Sequence, residues 1–468
     1  MSLAGAATLR FLGGAGTVTG SKYLIRAARC QVLLDCGLFQ GLKELRLRNW
    51  SAPAFDPGKI DAVILSHAHL DHSGYLPRLV RGGFRGKVYC TSGTADLVRV
   101  LLMDSARLQE EEAENANRKG YSKHKPALAL YTQQDAQAAF KLLRPCRYGE
   151  PMVVADGVRL LLRRAGHILG SSTIELMLGD ADNPFRLVFS GDLGRWDQPI
   201  LRDPEFVPAA DVLLLESTYG DKVHPLDTAE QLARIVREAA ERGGALVVPA
   251  FAIGRTQQLI WSLRLLEESG KIPELAVYID SPMAINVSEI YTAHPEDHDL
   301  DMAALMRKDP SPFASRNMQL IQKWDDSQAL LRKTGPMVII SSSGMATGGR
   351  VLQHLRTRLP DARSTVLLTG YQAQGTRGRL LQEGARTLRM FGEEISVRAK
   401  IEVLEGASAH ADREDTLRWL AGFTSPPRQT FLVHGEAPHT DNLASVIRDR
   451  LGWQARPAVD GEEVVLSK

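Results

Sequence analysis

Apolar positions in the first half of the chain fall in short runs broken by glycine-rich turns. ATLRFL (7–12), KYLIRA (22–27) and QVLLDCG (31–37) read as successive strands, with the turn GGAG (13–16) after the first. DAVILSH (61–67) is a short apolar run ending in histidine. HSGYLPRLVRGG (72–83) carries helical spacing until its glycines, and KVYCTS (87–92) is a strand again. From Thr94 to about Leu143 the pattern turns helical and highly charged, as in RLQEEEAENANRKGYSKHK, which predicts a solvated helical arm. GVRLLLRRAGH, SSTIELML, FRLVFSGD and DVLLLEST then give four more strands.

Beyond Glu216 the pattern alternates between the two periods. AEQLARIVREAAERGG is an amphipathic helix closed by glycine, and ALVVPAF is a buried strand. GRTQQLIWSLRLLEESGK, ELAVYIDS, MVIISSS, RVLQHLRTRL and TVLLTGY continue the alternation, the grammar of an α/β unit with a mostly parallel sheet. IEVLEG and QTFLVHG follow near the end, each with a helix after it. The expected organisation is a first part at 1–216, an inserted α/β domain at 217–400 and a C-terminal part at 401–468.

Composition narrows the class. At 468 residues the chain exceeds one ordinary core, and 44% apolar with 24% charged residues is an ordinary globular balance. A net charge of +2 means that any nucleic acid is held by a local basic groove, not by a generally basic surface. Cys30, Cys36, Cys90 and Cys146 form no C-x-x-C pair, as expected of scattered thiols in a cytoplasmic protein. No run approaches the length of a membrane span, and MSLAGAATLRFLGG lacks the plan of a signal peptide, so no membrane partner is expected.

SHAHLDHSG (66–74) is the densest chemical signal: His67, His69, Asp71 and His72 fit H-x-H-x-D-H where an apolar strand meets a helix. One such turn can offer ligands to neighbouring metal positions, but four side chains do not satisfy two ions. His167, Asp192 and His434 share a context, each just beyond an apolar strand. The resulting inventory has His67, His69 and His167 on one ion, Asp71, His72 and His434 on the other, and Asp192 bridging. Imidazole and carboxylate donors without thiolate suit two Zn²⁺, with Mn²⁺ or Fe as alternatives.

HAHLDH, GHILGS and SGDLG, in this order, resemble the metallo-β-lactamase superfamily, whose fold is an αββα sandwich. Asp35 in LLDCG matches its first motif, an aspartate supporting the site from behind. The later motifs resemble the β-CASP nuclease branch, which includes the cleavage and polyadenylation nuclease subunit and bacterial and archaeal relatives. Glu216 in LLLESTYG matches motif A, His410 in GASAHAD motif B and His434 in VHGE motif C. The resemblance implies an αββα sandwich with an inserted β-CASP domain, and a metal-dependent ribonuclease acting through a hydroxide shared by two ions. It implies further that Asp71 orients the water and that His410, paired with Glu216, is the general acid. A histidine at motif C is similar to the RNA-processing members, so the expected partner is RNA, single-stranded. A homodimer stays open.

Loops after the later strands are candidates for RNA phosphates. SSSGMATGGR has a P-loop outline, but Arg350 and Val351 replace its lysine and hydroxyl residue, so no nucleotide cofactor is expected. Ser343, Gly344, Gly349 and Arg350 there, Arg255 in FAIGRTQQ, and Arg377 and Arg379 in GTRGRLL are the expected phosphate contacts. A small-molecule hydrolase such as a lactonase or thioesterase fits less well, because of the roughly 180 residues inserted after Glu216. A non-catalytic RNA-binding scaffold would have lost ligands, and a DNA nuclease is disfavoured by His434.

Overall fold

A computed structural model of the chain describes residues 7–467 apart from 28, 121, 181, 226, 310, 315, 316 and 405. It divides into two compact units, Met1–Val223 with His410–Lys468, and His224–Ala409.

The first unit is built on two sheets of seven strands. One runs in the order Glu463–Leu466, Ala7–Phe11, Tyr23–Ala27, Cys30–Leu34, Ala62–Ile64, Lys87–Thr91, Leu143–Cys146. The other runs Ala455–Pro457, Gln429–Val433, Val212–Glu216, Phe185–Phe189, Ser172–Leu178, Val158–Arg164, Met152–Ala155. Leu9, Phe11, Ile25, Val32 and Ile64 from the first sheet close on Leu160, Ile174, Leu187, Leu214 and Phe431 from the second, all fully buried or nearly so. Alternation makes this possible, since every second strand residue faces the opposing sheet. The other face of the second sheet, with Val188, Leu213, Leu215 and Leu432, is covered by Trp419 and Leu420 of the helix Arg413–Leu420 and by Leu443 and Ile447 of Ala437–Leu451. Helices Leu76–Arg81, Ser92–Lys119 and Gln133–Phe140 belong to the first sheet's side, making this the αββα layering that the resemblance implies. The charged arm is one helix of 28 residues that ends at Gly120 in the left-handed conformation (φ 67°). It therefore stops well short of Leu143; a capping box of Thr132 and Asp135 starts a separate helix.

The second unit centres on a sheet of six parallel strands, Met318–Leu320, Ala276–Ile279, Met337–Ser341, Ala245–Pro249, Thr365–Thr369 and Lys400–Leu404 in spatial order. Its strands are near-continuous apolar runs because helices cover both faces. Val247, Ile339, Val366 and Leu368 anchor its core with Leu355 and Leu359 of the helical segment after Arg350. The last strand pairs with Thr365–Thr369 in register from Thr365↔Lys400 to Thr369↔Leu404. Lys400–Leu404 thus belongs to the inserted sheet, and the chain returns to the first unit at His410 instead of near residue 400. No helix among the described residues is long and apolar enough to cross a membrane.

Candidate metal centre

Strand register delivers the donors. Leu34 pairs with Ile64, and the Asp35 N–H donates to the Ile64 carbonyl (2.9 Å), so Asp35 arrives beside Ser66 and the histidine run. Val212–Glu216 lies between Phe185–Phe189 and Gln429–Val433, both parallel to it, with Glu216 opposite Val433. Asp192, Glu216 and His434 therefore leave the same end of the sheet. Two glycines allow the close approaches. A Cβ on Gly37 would lie 1.6 Å from the Asp71 carbonyl oxygen, and one on Gly194 would lie 2.1 Å from Gly166 backbone. Gly194 in turn bridges to His410, bringing that residue to the site.

The seven expected ligands lie together in the first unit as two groups, His67, His69, His167 and Asp192, then Asp71, His72 and His434, and a third set of Asp192, His410 and His434 links the two. In the first, His69 Nδ1 is 3.1 Å from His67 Nε2 and 3.3 Å from His167 Nε2. Asp192 Oδ2 is 3.4 Å from His67 Nε2 and 3.6 Å from His167 Nε2. Its other oxygen, Oδ1, is 3.3 Å from His72 Nε2. Asp71 Oδ2 is 3.3 Å from His434 Nε2 and 3.9 Å from His72 Nε2. Asp35 Oδ2 is 2.6 Å from His72 Nδ1 and also accepts from Ser66 Oγ (2.8 Å), while Oδ1 accepts the Ser66 N–H (2.7 Å).

This donor set fits metal. His72 Nε2 and Asp192 Oδ1 are buried, aimed at a common space, and without a hydrogen-bond partner among the described residues. Burial and neighbouring imidazoles hold His67 well below its ordinary pKa, and burial takes His69 down to about 4. Both are thus neutral, as ligands must be. His72 goes the other way, up to about 10: burial opposes the shift, but Asp192 and Asp35 outweigh it. A buried site that draws positive charge to one imidazole while neutralising its neighbours is suited to a cation in place of the protons.

His410 sits against this group with Nδ1 3.1 Å from Glu216 Oε1 and 3.9 Å from Asp192 Oδ2. Burial works against its charge, yet Glu216 and Asp192 raise its pKa above the ordinary value. Glu216, itself buried, also accepts the N–H groups of Leu193 (2.9 Å, Oε1) and Thr218 (3.1 Å, Oε2).

In the second unit, Arg255, Ser343, Gly344, Gly349, Arg350, Arg377 and Arg379 all follow the C-terminal ends of parallel strands. The loops touch: Gln372 Nε2 donates to the Gly344 carbonyl (3.2 Å), and a Cβ on Gly344 would strike the Phe251 ring. Arg350 requires a correction. It is not an open anion ligand: Nη1 pairs with buried Asp280 (2.8 Å) and donates to the Ile321 carbonyl, and Nη2 donates to that of Gln322. Arg377 donates to the Arg389, Ala346 and Thr347 carbonyls, and Arg379 pairs with Glu383. Arg255 donates to Gln258 (2.8 Å). Sequence reasoning missed Asp280 and gave His354 no role; His354 Nε2 lies 2.6 Å from Asp280 Oδ2, which also accepts from Ser327 (2.6 Å). It also missed Ser66 and Thr218, hydroxyl residues adjoining the metal and acid motifs.

Sequence profiles of three domains match the chain: a metallo-beta-lactamase superfamily domain at 24–181, a Beta-Casp domain at 256–381, and a Zn-dependent metallo-hydrolase RNA specificity domain at 394–457. Ribonuclease TTHA0252 of Thermus thermophilus is 35% identical over 97% of this chain and 97% of its own. Transcription termination factor FttA of Methanocaldococcus jannaschii is 32% identical over 94% of this chain and 68% of its own; FttA of Methanosarcina mazei is 31% identical over 97% and 71%. A crystal structure of an Enterococcus faecalis protein of unknown function shares the fold at TM-score 0.52 and 15% identity, covering 99% of this chain and 100% of that one. With its histidine run, its inserted parallel sheet and a relative 35% identical over 97% of both chains, the chain belongs to the β-CASP family of metallo-β-lactamase-fold hydrolases.

Proposed function

We propose that this chain is a zinc-dependent ribonuclease that hydrolyses phosphodiester bonds of single-stranded RNA. The observation that carries the reading is Asp192 placing one oxygen against each of two imidazole groups, with His410 and Glu216 alongside. His67, His69, His167 and Asp192 would hold one Zn²⁺, and Asp71, His72, His434 and Asp192 a second. Bound there, the pair would supply Lewis acidity toward a phosphate and a water acidic enough to attack at neutral pH.

The protein's own groups do the rest. Asp71, partly exposed beside His434, orients the water for attack on phosphorus. The departing sugar oxygen needs a proton, and His410 is the acid placed to give it. Glu216 holds its Nδ1 and keeps the imidazole charged, so that Nε2 delivers the proton. The ribonuclease relative is matched over its whole length, which favours RNA as substrate; the termination factors extend well beyond the matched region. Ser343, Arg255, Arg377 and Arg379 are proposed to meet the RNA backbone, with the loop glycines Gly344 and Gly349 giving close approach.

The test uses matched 5′-labelled RNA and DNA oligonucleotides with zinc-loaded protein. Zinc-dependent cleavage of RNA alone supports the reading, and the product ladder separates internal from terminal cutting. Equal cleavage of DNA, or none of either strand with zinc bound, would overturn it.

A further inference from the structure

Imidazole can ligate through either nitrogen, and the choice is set by what the other nitrogen meets. We propose that the Thr218 hydroxyl sets the tautomer of His434, holding the proton on Nδ1 so that Nε2 faces the second metal position. The inference rests on the dinuclear reading and assigns a positioning residue to it.

Proton counting carries the argument. Thr218 Oγ1 lies 3.1 Å from the His434 carbonyl oxygen, which can only accept, and 3.1 Å from His434 Nδ1. A hydroxyl has one proton. Once that proton goes to the carbonyl, the oxygen can only accept from Nδ1, which must then carry hydrogen. Asp71 Oδ2 lies 3.3 Å from Nε2 within the group of Asp71, His72 and His434; with a cation between them, Nε2 would give that cation its lone pair while Nδ1 keeps the hydrogen. Asp192 Oδ1 also approaches Nδ1, at 3.5 Å, too long to compete as an acceptor.

Thr218 is well placed for this. It is buried, and its N–H is bonded to Glu216 Oε2, so the general-acid pair and the ligand share one short segment. The Ser217 N–H donates to the same His434 carbonyl (3.3 Å), and the His434 N–H donates to the Gly14 carbonyl (2.6 Å). Those bonds hold His434 at φ 50°, an uncommon conformation for a residue other than glycine. The same logic recurs at His67: Ser66 Oγ donates its proton to Asp35 Oδ2 and lies 3.0 Å from His67 Nδ1. His72 has the Asp35 carboxylate at Nδ1. Three ligands thus face an acceptor at Nδ1, and Thr218 supplies the one for His434.

The test compares wild type, Thr218→Val, which keeps the shape without the hydroxyl, and Thr218→Ser, which restores it. Zinc retention is followed by mass spectrometry across a chelator series. The wild type and the serine variant should hold two zinc ions alike. The valine variant should release one of them at about 10- to 100-fold lower chelator. Valine holding both ions as tightly as wild type, or serine failing together with valine, overturns the inference. Wild type that binds a single zinc overturns the dinuclear reading and this inference with it. Long-range proton–nitrogen correlation on zinc-loaded wild type labelled at histidine needs no variant: His434 should be protonated at Nδ1, and ligation through Nδ1 overturns the assignment.

Discussion

His410 and the candidate metal ligands are neighbours with separable duties in the proposed function. His410→Ala should leave zinc content unchanged and lower the cleavage rate by about 10²–10⁴, the contribution typical of a positioned general acid. Loss of zinc in that variant would instead make His410 a ligand. The pH profile separates its partner. Because the His410 pKa is raised above the ordinary value, the acid stays protonated above pH 6.5, and activity declines only as pH climbs through the raised value. Glu216→Gln removes much of that shift, so the basic limb of the rate profile should move to lower pH; a limb that does not move contradicts the pairing. At this scale the sequence was partly legible. The spacing of His67, His69, Asp71 and His72 announces metal by itself, whereas His167, Asp192 and His434 are marked only as polar residues beyond apolar strands. The hydroxyls of Ser66 and Thr218 carried no signal, because Thr218 meets a partner 216 positions away and its use depends on a distance.

Elements were readable where periodicity was strong. The strands of both units follow their apolar runs, and the six-stranded parallel sheet follows from strand and helix in alternation. The strand Lys400–Leu404 shows the limit: its apolar pattern fits either sheet, and only pairing with Thr365–Thr369 assigns it. The GGR loop shows another, since its arginine is drawn inward by an aspartate 70 positions away. That aspartate makes a prediction. Asp280 is fully buried and bonded to Arg350, His354 and Ser327, so Asp280→Ala leaves a half-buried guanidinium and a buried imidazole without their carboxylate. The change should cost about 1–3 kcal/mol of stability, read as a lower denaturant midpoint for the second unit. Zinc content should hold, because every candidate ligand lies in the first unit. An unchanged midpoint would mean that the network contributes little.

For the whole molecule, a net charge of +2 provides no general attraction for RNA, so the proposed function rests on the donor group of the first unit. That centre was legible as a set of residues through family resemblance, and the sandwich brings its members together from positions 35 to 434. The proposed function requires two cations at this centre, with Asp192 between them. The most direct measurement is cleavage of single-stranded RNA by metal-free protein titrated with zinc, with bound zinc counted in the same samples and Asp192→Ala run alongside. Activity should rise to a plateau at two zinc ions per chain, and the Asp192→Ala protein should hold fewer ions and not cut. RNA cleavage without zinc, or an Asp192→Ala protein as active as wild type, would contradict the proposed function.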